Sequence, residues 1–247
     1  MTVSVVTLAD RPDLFDSMWS MPDSWPEFML QDPVSSFFYR PDVVTRVADH
    51  VVIALDGDEV VGKGYALPLR LDPDALPADG WDAAIRLGVT QSFAGVAPTV
   101  LCALEIAVRP DRQGDGLSSL LLAEVRRCAA RAGLSEVIVP VRPSGPVDPG
   151  VPMSEYASRV RDDGLPVDPW LRVHVRAGGH IAGIAPRSMV IAGTLDEWRR
   201  WTGLPFDRSG PIEVPGALAP VLCDVVHGTA VYVEANVWVR HRAASTG

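Results

Sequence analysis

The sequence has few of the features that mark secreted, membrane or nucleic-acid-binding proteins. Its three cysteines lie in separate apolar segments without metal-site spacing, so we expect core residues rather than disulfides. No apolar run reaches the roughly 18 residues of a membrane span, and we expect no signal peptide at the N-terminus. The net charge of −9 disfavours nucleic-acid binding, because phosphates require a basic face. These absences predict a reduced, cytoplasmic protein that binds neither membrane nor nucleic acid.

The chain does contain enough apolar sequence for a folded core. Of its 247 residues, 47% are hydrophobic and 21% are charged, which is typical of a globular protein. Lys63 is the only lysine among many arginines. The chain shows no internal repeat and no linker that demands two domains, so we predict one domain over residues 1–247.

Strand and helix signals alternate along the chain. An Asp-Gly-Asp turn between two apolar runs predicts a hairpin, and Thr194 with Glu197 forms a capping box that predicts a helix start. Two segments rich in proline and glycine, about 72–98 and 143–167, are interpreted as loop insertions. The first is expected to be a flap with one short amphipathic piece, Trp81 to Leu87.

The segment VRPDRQGDGLSSLLLAEVRR, residues 108–127, carries the strongest functional signal. An apolar strand ends there, and Gly114 and Gly116 precede a helix with apolar residues at helical spacing. Free N–H groups at a helix start bind phosphate, and glycine lets a ligand approach the main chain closely. The chain has neither a Rossmann fingerprint nor a P-loop. We therefore infer a phosphate site of another kind.

This segment resembles the acyl-CoA signature Q/R-x-x-G-x-G/A of the GNAT superfamily, the GCN5-related N-acetyltransferases, which follows a strand ending V-x-P. The resemblance implies an α/β GNAT fold, a mixed twisted sheet splayed around an acyl-CoA cleft. It also implies which residues bind acyl-CoA: Ile106, Val108, Gln113, Gly114, Asp115, Gly116, Leu117 and Ser118. The opening WPEFMLQDPV is similar to uncharacterised actinobacterial members of the superfamily.

Two positions depart from the signature. Ser118 replaces a smaller residue, which is a mild change because serine is small and donates a hydrogen bond. The carboxylate of Asp115 would repel phosphate unless its side chain points to solvent, and Arg109 and Arg112 could compensate for its charge.

The resemblance also implies a general acid. Many GNAT enzymes carry a tyrosine, in a pattern like L-Y-x-x-x-G-F, that protonates the departing CoA thiolate. The run VHVRAGGH places His174 at that position, on a predicted helix that ends at a glycine. An imidazole can donate a proton near neutral pH. Two alternatives stay open: His174 is a helix-surface or core histidine with a backbone partner, or water protonates the thiolate.

Glu105 is the candidate general base. It interrupts the apolar run LCALEIAV, where a buried carboxylate would have a raised pKa that suits proton abstraction. Strand alternation predicts that Leu101, Ala103, Glu105 and Ala107 share one face. The alternative is a carboxylate paired with an arginine elsewhere in the sheet.

Other candidates are weaker. Asp162, Asp163 and Asp168 could attract a cationic acceptor but lie in a turn-rich segment where acids are common. Aromatic residues that could wall a pocket, or form core, are Trp19, Trp25, Phe28, Phe37, Phe38 and Tyr39. Three histidines lack the spacing of metal ligands: His180, His227 and His241. We therefore expect no metal.

These observations predict an acyl-CoA-dependent N-acyltransferase. Its reaction would be acetyl transfer to a primary amine of a small molecule, by direct attack in a ternary complex. One alternative is a longer-chain or carrier-protein-dependent acyltransferase of secondary metabolism, with the segment 72–98 lining a longer pocket and an acyl carrier protein as partner. The other is a non-catalytic acyl-CoA-binding regulator. A homodimer stays open.

Overall fold

The computed structural model describes residues 3–72, 74–145, 147–148 and 150–244, which form a mixed sheet with helices on both faces. The strands in this part are β1 (Val3–Thr7), β2 (Val51–Asp56), β3 (Glu59–Leu69), β4 (Val100–Val108), β5 (Glu136–Val141), β6 (His180–Thr194), β7 (Gly210–Ile212), β8 (Val221–Asp224) and β9 (Thr229–Arg242). The α-helices are α1 (Phe15–Trp19), α2 (Ser35–Phe38), α3 (Pro41–Val44), α4 (Gly80–Phe93), α5 (Leu117–Arg131), α6 (Met153–Ser158), α7 (Pro169–Arg176) and α8 (Leu195–Thr202).

The sheet splays between its two central strands. The strand order is β1-β2-β3-β4-β5-β9-β8-β7, with β6 paired to β9. Among the described strands, β4 and β5 form the one parallel pair, and it extends over only two register pairs, Leu101↔Val137 and Cys102↔Ile138. The rest of each strand lines a cleft. The predicted mixed α/β sheet around a cleft is thereby confirmed.

A β-bulge in β4 decides which side chains face each side of the sheet. The register with β3 passes from Ala103 to Glu105 in one step along β3, so Leu104 is the extra residue. Ala103 packs in the core on the α5 face, whereas Ala107 packs in the core on the other face. The prediction that Glu105 shares a face with Leu101 and Ala103 is wrong, because alternation holds only in a strand without a bulge.

Each face of the sheet covers its own hydrophobic core. On one face, α5 buries Leu117, Leu121 and Val125 against the sheet, as its apolar periodicity predicts, while Leu120 stays exposed. The larger core on the other face contains most of the buried aromatic residues, including Phe28, Phe38, Tyr65, Trp198, Phe206, Tyr232 and Trp238. Among the described residues, no helix has the length and apolarity needed to cross a membrane.

The segment 72–98 differs from the predicted flap. It contains the 14-residue helix α4, which buries Trp81, Ile85 and Val89 in the larger core. A side chain at Gly88 would collide with Leu67 of β3, so this glycine allows helix and strand to approach closely. Proline and glycine around the helix suggested a loop, but close packing on the sheet overrides local propensity.

Candidate active site

A cavity of about 850 Å³ lies where β4 and β5 diverge. We name two parts of its lining. The glycine wall consists of the outer edge of β4 at Ile106 and Val108, the loop Gln113–Gly116 and the first residues of α5. The carboxylate wall consists of Asp23, Trp25, Tyr39, Lys63, Glu105 and Arg142.

The loop of the glycine wall has the backbone geometry that glycine permits. Gly114 has φ +94° and Gly116, the N-cap of α5, has φ +79°, both in the left-handed region. A Cβ at either position would meet no atom within 4 Å, so conformation rather than packing requires glycine here. The N–H groups of Gly114, Gly116, Leu117 and Ser118 have no partner among the described residues. Such a row of free donors suits an anion.

The acidic residue in this loop is neutralised by its neighbour. Arg112 pairs with Asp115 at 2.8 Å and with Asp56 at 2.8 Å. Asp115 is exposed and does not line the cavity, whereas Arg112 does. Arg109 instead pairs with Glu59 and Asp111. Arg112 therefore supplies the compensation that the sequence suggested.

Ile106 and Val108 present backbone groups to the cleft. The N–H of Arg109 donates to the carbonyl of Val61 in β3 at 3.1 Å. Because backbone groups alternate in direction along a strand, those of Ile106 and Val108 point to the side that β5 has left. This open edge of β4 offers hydrogen bonds to an extended amide-containing ligand.

Glu105 projects from β4 into the carboxylate wall. Its carboxylate accepts a hydrogen bond from the Tyr39 hydroxyl at 2.6 Å and one from the Trp25 indole N–H at 3.3 Å. Burial raises the pKa of Glu105, and the Tyr39 hydrogen bond and the positive charge of Lys63 partly offset this shift. No cation lies within ion-pair distance of Glu105 in the described part of the chain. The predicted alternative of an arginine partner is therefore not seen.

Lys63 and Asp23 form an ion pair beside Glu105 that the sequence did not reveal. The Lys63 side chain is buried on β3, and its Nζ lies 3.5 Å from Oδ2 of Asp23. Lys63 is on the same face of the sheet as Glu105, because its register partner is Ala107. The sequence feature that could have indicated this ion pair is a single lysine flanked by glycines in a strand.

Arg142 completes the carboxylate wall and was also missed. Its Nε donates to Oε2 of Glu234 at 2.9 Å, and its Nη2 donates to the carbonyl of Gly216 at 2.5 Å. Glu234 is fully buried and also accepts from the Tyr232 hydroxyl at 2.6 Å and from the Asn236 amide at 2.9 Å. Glu234 in the apolar run VYVEANVWV was a visible but unused signal.

His174 lies on α7 at the cavity and is fully buried. Its Nδ1 lies 2.9 Å from Nε2 of His241, and its Nε2 has no partner among the described residues. Burial, with a smaller contribution from His241, lowers the pKa of His174 to about 3. The imidazole is therefore neutral at physiological pH, and its role as general acid stays a prediction.

Asp168 holds α7 in place. Its Oδ1 accepts from the N–H groups of Trp170 and Leu171 as an N-cap, and its Oδ2 accepts from the Tyr156 hydroxyl at 3.0 Å. These hydrogen bonds account for the burial of the Asp168 carboxylate, and no bound ligand is needed to explain it. Asp162 and Asp163 are exposed in the loop before it.

The predicted aromatic residues divide between cavity and core. Trp19, Trp25 and Tyr39 line the cavity, whereas Phe28 and Phe38 are buried in the larger core and Phe37 is exposed. The described part of the chain contains no cluster of three or more metal-ligating side chains. The three cysteines are buried and unpaired.

Comparisons with known proteins agree with this architecture. The chain is 33% identical over 270 residues to arginine N-acetyltransferase avaD of Aspergillus versicolor, covering 96% of this chain and 93% of that protein. The loading GNATL domain of CurA from Lyngbya majuscula has a TM-score of 0.62 at 19% identity and covers 98% of both chains. The GphF GNAT-like decarboxylase in complex with isobutyryl-CoA has a TM-score of 0.52 at 19% identity, covering 99% of this chain and 100% of that chain. No protein-family model matches.

The two structures, at 19% identity, support the fold alone. The similarity to actinobacterial proteins stays a prediction.

Proposed function

Because the chain belongs to the GNAT superfamily and is an acyl-CoA-dependent acyltransferase, we propose that it transfers an acetyl group to a primary amine of a small molecule. One observation carries this proposal: a single cavity joins the glycine wall to Glu105, a partly buried carboxylate without a cationic partner among the described residues. A cofactor wall and a base that face the same space are what direct transfer requires.

The glycine wall would hold acyl-CoA. The free N–H groups of Gly114, Gly116, Leu117 and Ser118 would bind the pyrophosphate at the start of α5, next to Arg112, whose charge is balanced by Asp56 and Asp115. The backbone edge at Ile106 and Val108 would hydrogen-bond the pantetheine amides. These assignments place the thioester toward the bulge in β4, next to Glu105.

Glu105 would act as the general base. An acceptor reaches the cavity as an ammonium ion, and its proton passes to the carboxylate directly or through one water. The free amine then attacks the thioester carbonyl, the C–N bond forms, and the C–S bond breaks as the thiolate leaves. The proton that the new amide nitrogen loses passes through water to the thiolate, which leaves as the CoA thiol. The raised pKa of Glu105 brings it nearer to neutral pH and improves its match to this task.

His174 would assist the leaving group through a hydrogen bond rather than as an imidazolium. A ring with a pKa of about 3 carries no ionised proton to give at neutral pH. In one tautomer, however, the Nε2–H of His174 is free while Nδ1 accepts from His241. That donor would stabilise the departing thiolate, and water would supply its proton.

The name of avaD supports an acceptor of the arginine type, and the GphF complex supports testing a branched acyl donor. A second candidate is therefore transfer of an acyl group longer than acetyl, for which a cavity of about 850 Å³ has room.

The test is CoA release from acetyl-CoA and from isobutyryl-CoA, each with a panel of amines that includes L-arginine. We expect amine-dependent release and an acylated product by mass. Tight CoA binding without amine-dependent release would reject the proposed activity. Faster turnover with isobutyryl-CoA would select the second candidate.

A further inference from the structure

The carboxylate wall contains a guanidinium with an unused donor nitrogen. The Nε of Arg142 donates to Glu234 and its Nη2 donates to the carbonyl of Gly216, whereas its Nη1 has no partner among the described residues. Its side chain is 20% exposed, and it lines the cavity. A guanidinium presents donors in a planar fork, so an edge held by protein leaves a fixed edge for an incoming acceptor of hydrogen bonds.

Arg142 is supported by a network of buried polar side chains. Glu234 is completely buried and receives donors from Arg142, Tyr232 and Asn236. The Oδ1 of Asn236 in turn accepts from the Ser188 hydroxyl at 2.6 Å. A buried ion pair adds little net stability over apolar residues. The network instead fixes the direction of the guanidinium.

Trp25 links this cation to the base. Its indole N–H donates to Glu105 at 3.3 Å, and the guanidinium carbon of Arg142 lies 5.8 Å from the centre of a Trp25 ring. The guanidinium of Arg142 and the carboxylate of Glu105 therefore both lie beside the same side chain. Within the described residues, the other carboxylate and cation of this wall, Asp23 and Lys63, pair with each other.

What remains is the carboxylate of Glu105, which has no ion-pair partner among the described residues, and the unused Nη1 of Arg142, whose charge is already balanced by Glu234. We propose that Arg142 binds the carboxylate of the acceptor while Glu105 receives its ammonium, so that the substrate is an amino acid with a free carboxylate. This assignment rests on the proposed function and adds the part of the substrate that is recognised. The same carboxylate chemistry could come from the acyl donor, as in succinyl-CoA, and the test separates the two sources.

The experiment compares each amino acid with its amide, which keeps the amine and side chain and removes the negative charge. The pairs are L-arginine with L-argininamide and L-leucine with L-leucinamide. We expect kcat/KM for the better amino acid to exceed that of its amide by about 10- to 100-fold, the range for a hydrogen bond to a charged group. In Arg142→Gln this preference should shrink to less than about 3-fold, mainly through the loss for the amino acid. Arg142→Lys, which keeps the charge, should retain part of it.

The exposed Arg161→Met in the loop after α6 is the matched control and should leave the preference unchanged. Equal kcat/KM for acid and amide in the wild type would overturn the proposal. An equal loss of kcat/KM for the amino acid and its amide in Arg142→Gln would also overturn it, because that result indicates a structural role. If Arg142→Gln instead lowered kcat/KM for succinyl-CoA but not for acetyl-CoA, the site would belong to the acyl donor and the proposal would fail.

Calorimetry of the same pairs in the presence of CoA keeps the test independent of turnover. Preferential binding of the acid, lost in Arg142→Gln, would support the carboxylate site even if no transfer occurred and the proposed activity failed. Absence of any preference in binding would reject the site.

Discussion

The glycine wall and the carboxylate wall offer a ligand different kinds of group. The glycine wall offers backbone N–H groups from a continuous stretch, Gln113 to Ser118, and two left-handed glycines shape it. The carboxylate wall offers side chains from four separate parts of the chain: the N-terminal segment, β3, β4 and the end of β5. One wall is a local motif, and the other exists only after folding.

This difference suggests that the two walls serve different parts of the bound substrates. Backbone donors are present whatever the side chains are, so the glycine wall is suited to the invariant part of a cofactor. The carboxylate wall depends on the identity of each side chain, including Lys63, Glu105 and Arg142. Substitutions in the two walls should therefore separate cofactor affinity from turnover, and the experiments below test this separation.

The largest effect is expected from Glu105→Gln. Loss of the base should lower kcat by about 10²- to 10⁴-fold at neutral pH while the affinity for acetyl-CoA stays nearly unchanged. The loss should shrink at high pH, where free amine is abundant. Steady-state kinetics from pH 6 to 10, with CoA affinity from calorimetry, measures both. An equal loss at every pH would show that Glu105 is structural.

Gly116→Val should have the opposite signature. A β-branched residue at φ +79° is strained and would displace the N–H groups at the start of α5, so CoA affinity should fall by at least about 10-fold. Gly95→Val is the matched control, because Gly95 also has positive φ in open space but does not line the cavity. Calorimetry with CoA on both folded variants decides. Unchanged affinity in Gly116→Val would remove the pyrophosphate assignment.

His174→Ala tests whether a cavity-lining side chain outside the two walls takes part in the reaction. We expect kcat to fall by up to about 10²-fold, the scale for a positioned proton or hydrogen-bond donor. His174→Tyr, which restores the usual GNAT residue, should retain more activity. Because the His174 ring is neutral, it should cause no inflection near pH 6.5 in the pH dependence of kcat. The wild type and His174→Ala should therefore have the same profile shape in that range. A kinetically silent alanine variant would end the assignment.

The smallest effect concerns stability against acid. Burial lowers the folded-state pKa of His174 to about 3 and that of His241 to about 4. Their contribution is therefore full above the unfolded value of about 6.5 and is lost as pH falls toward 4, by at most about 2.7 kcal/mol per pH unit for two protons. The free energy of unfolding, measured by chemical denaturation from pH 7 to 5, should fall less steeply with decreasing pH in His174→Gln than in the wild type.

Asp82 acts in the opposite direction, because burial raises its pKa to about 8. The difference between wild type and His174→Gln is therefore the informative quantity. Parallel slopes would contradict the low pKa of His174.

The sequence by itself determined the elements whose cause is local. The capping box of Thr194 and Glu197 is present at the start of α8. The helical spacing of apolar residues in α5 buries Leu117, Leu121, Val125 and Ala129, whereas Leu120 of the same predicted set is exposed. The glycine loop could also be predicted, because a left-handed backbone and a free helix start both depend on residues within a window of six. Glu105 was singled out because a carboxylate in an apolar strand is conspicuous; it lines the cavity, and its role as base stays a prediction.

Only the tertiary structure decided the rest. The bulge at Leu104, which turns Glu105 toward Trp25 and Tyr39, arises from pairing with β3 and packing on Trp81, whose indole donates to the Leu104 carbonyl at 3.0 Å. The partners of Arg142 and Lys63 lie 92 and 40 positions away in the chain, at Glu234 and Asp23. Pairing over such separations is specified by the whole sheet and its packing. No local window of sequence contains it.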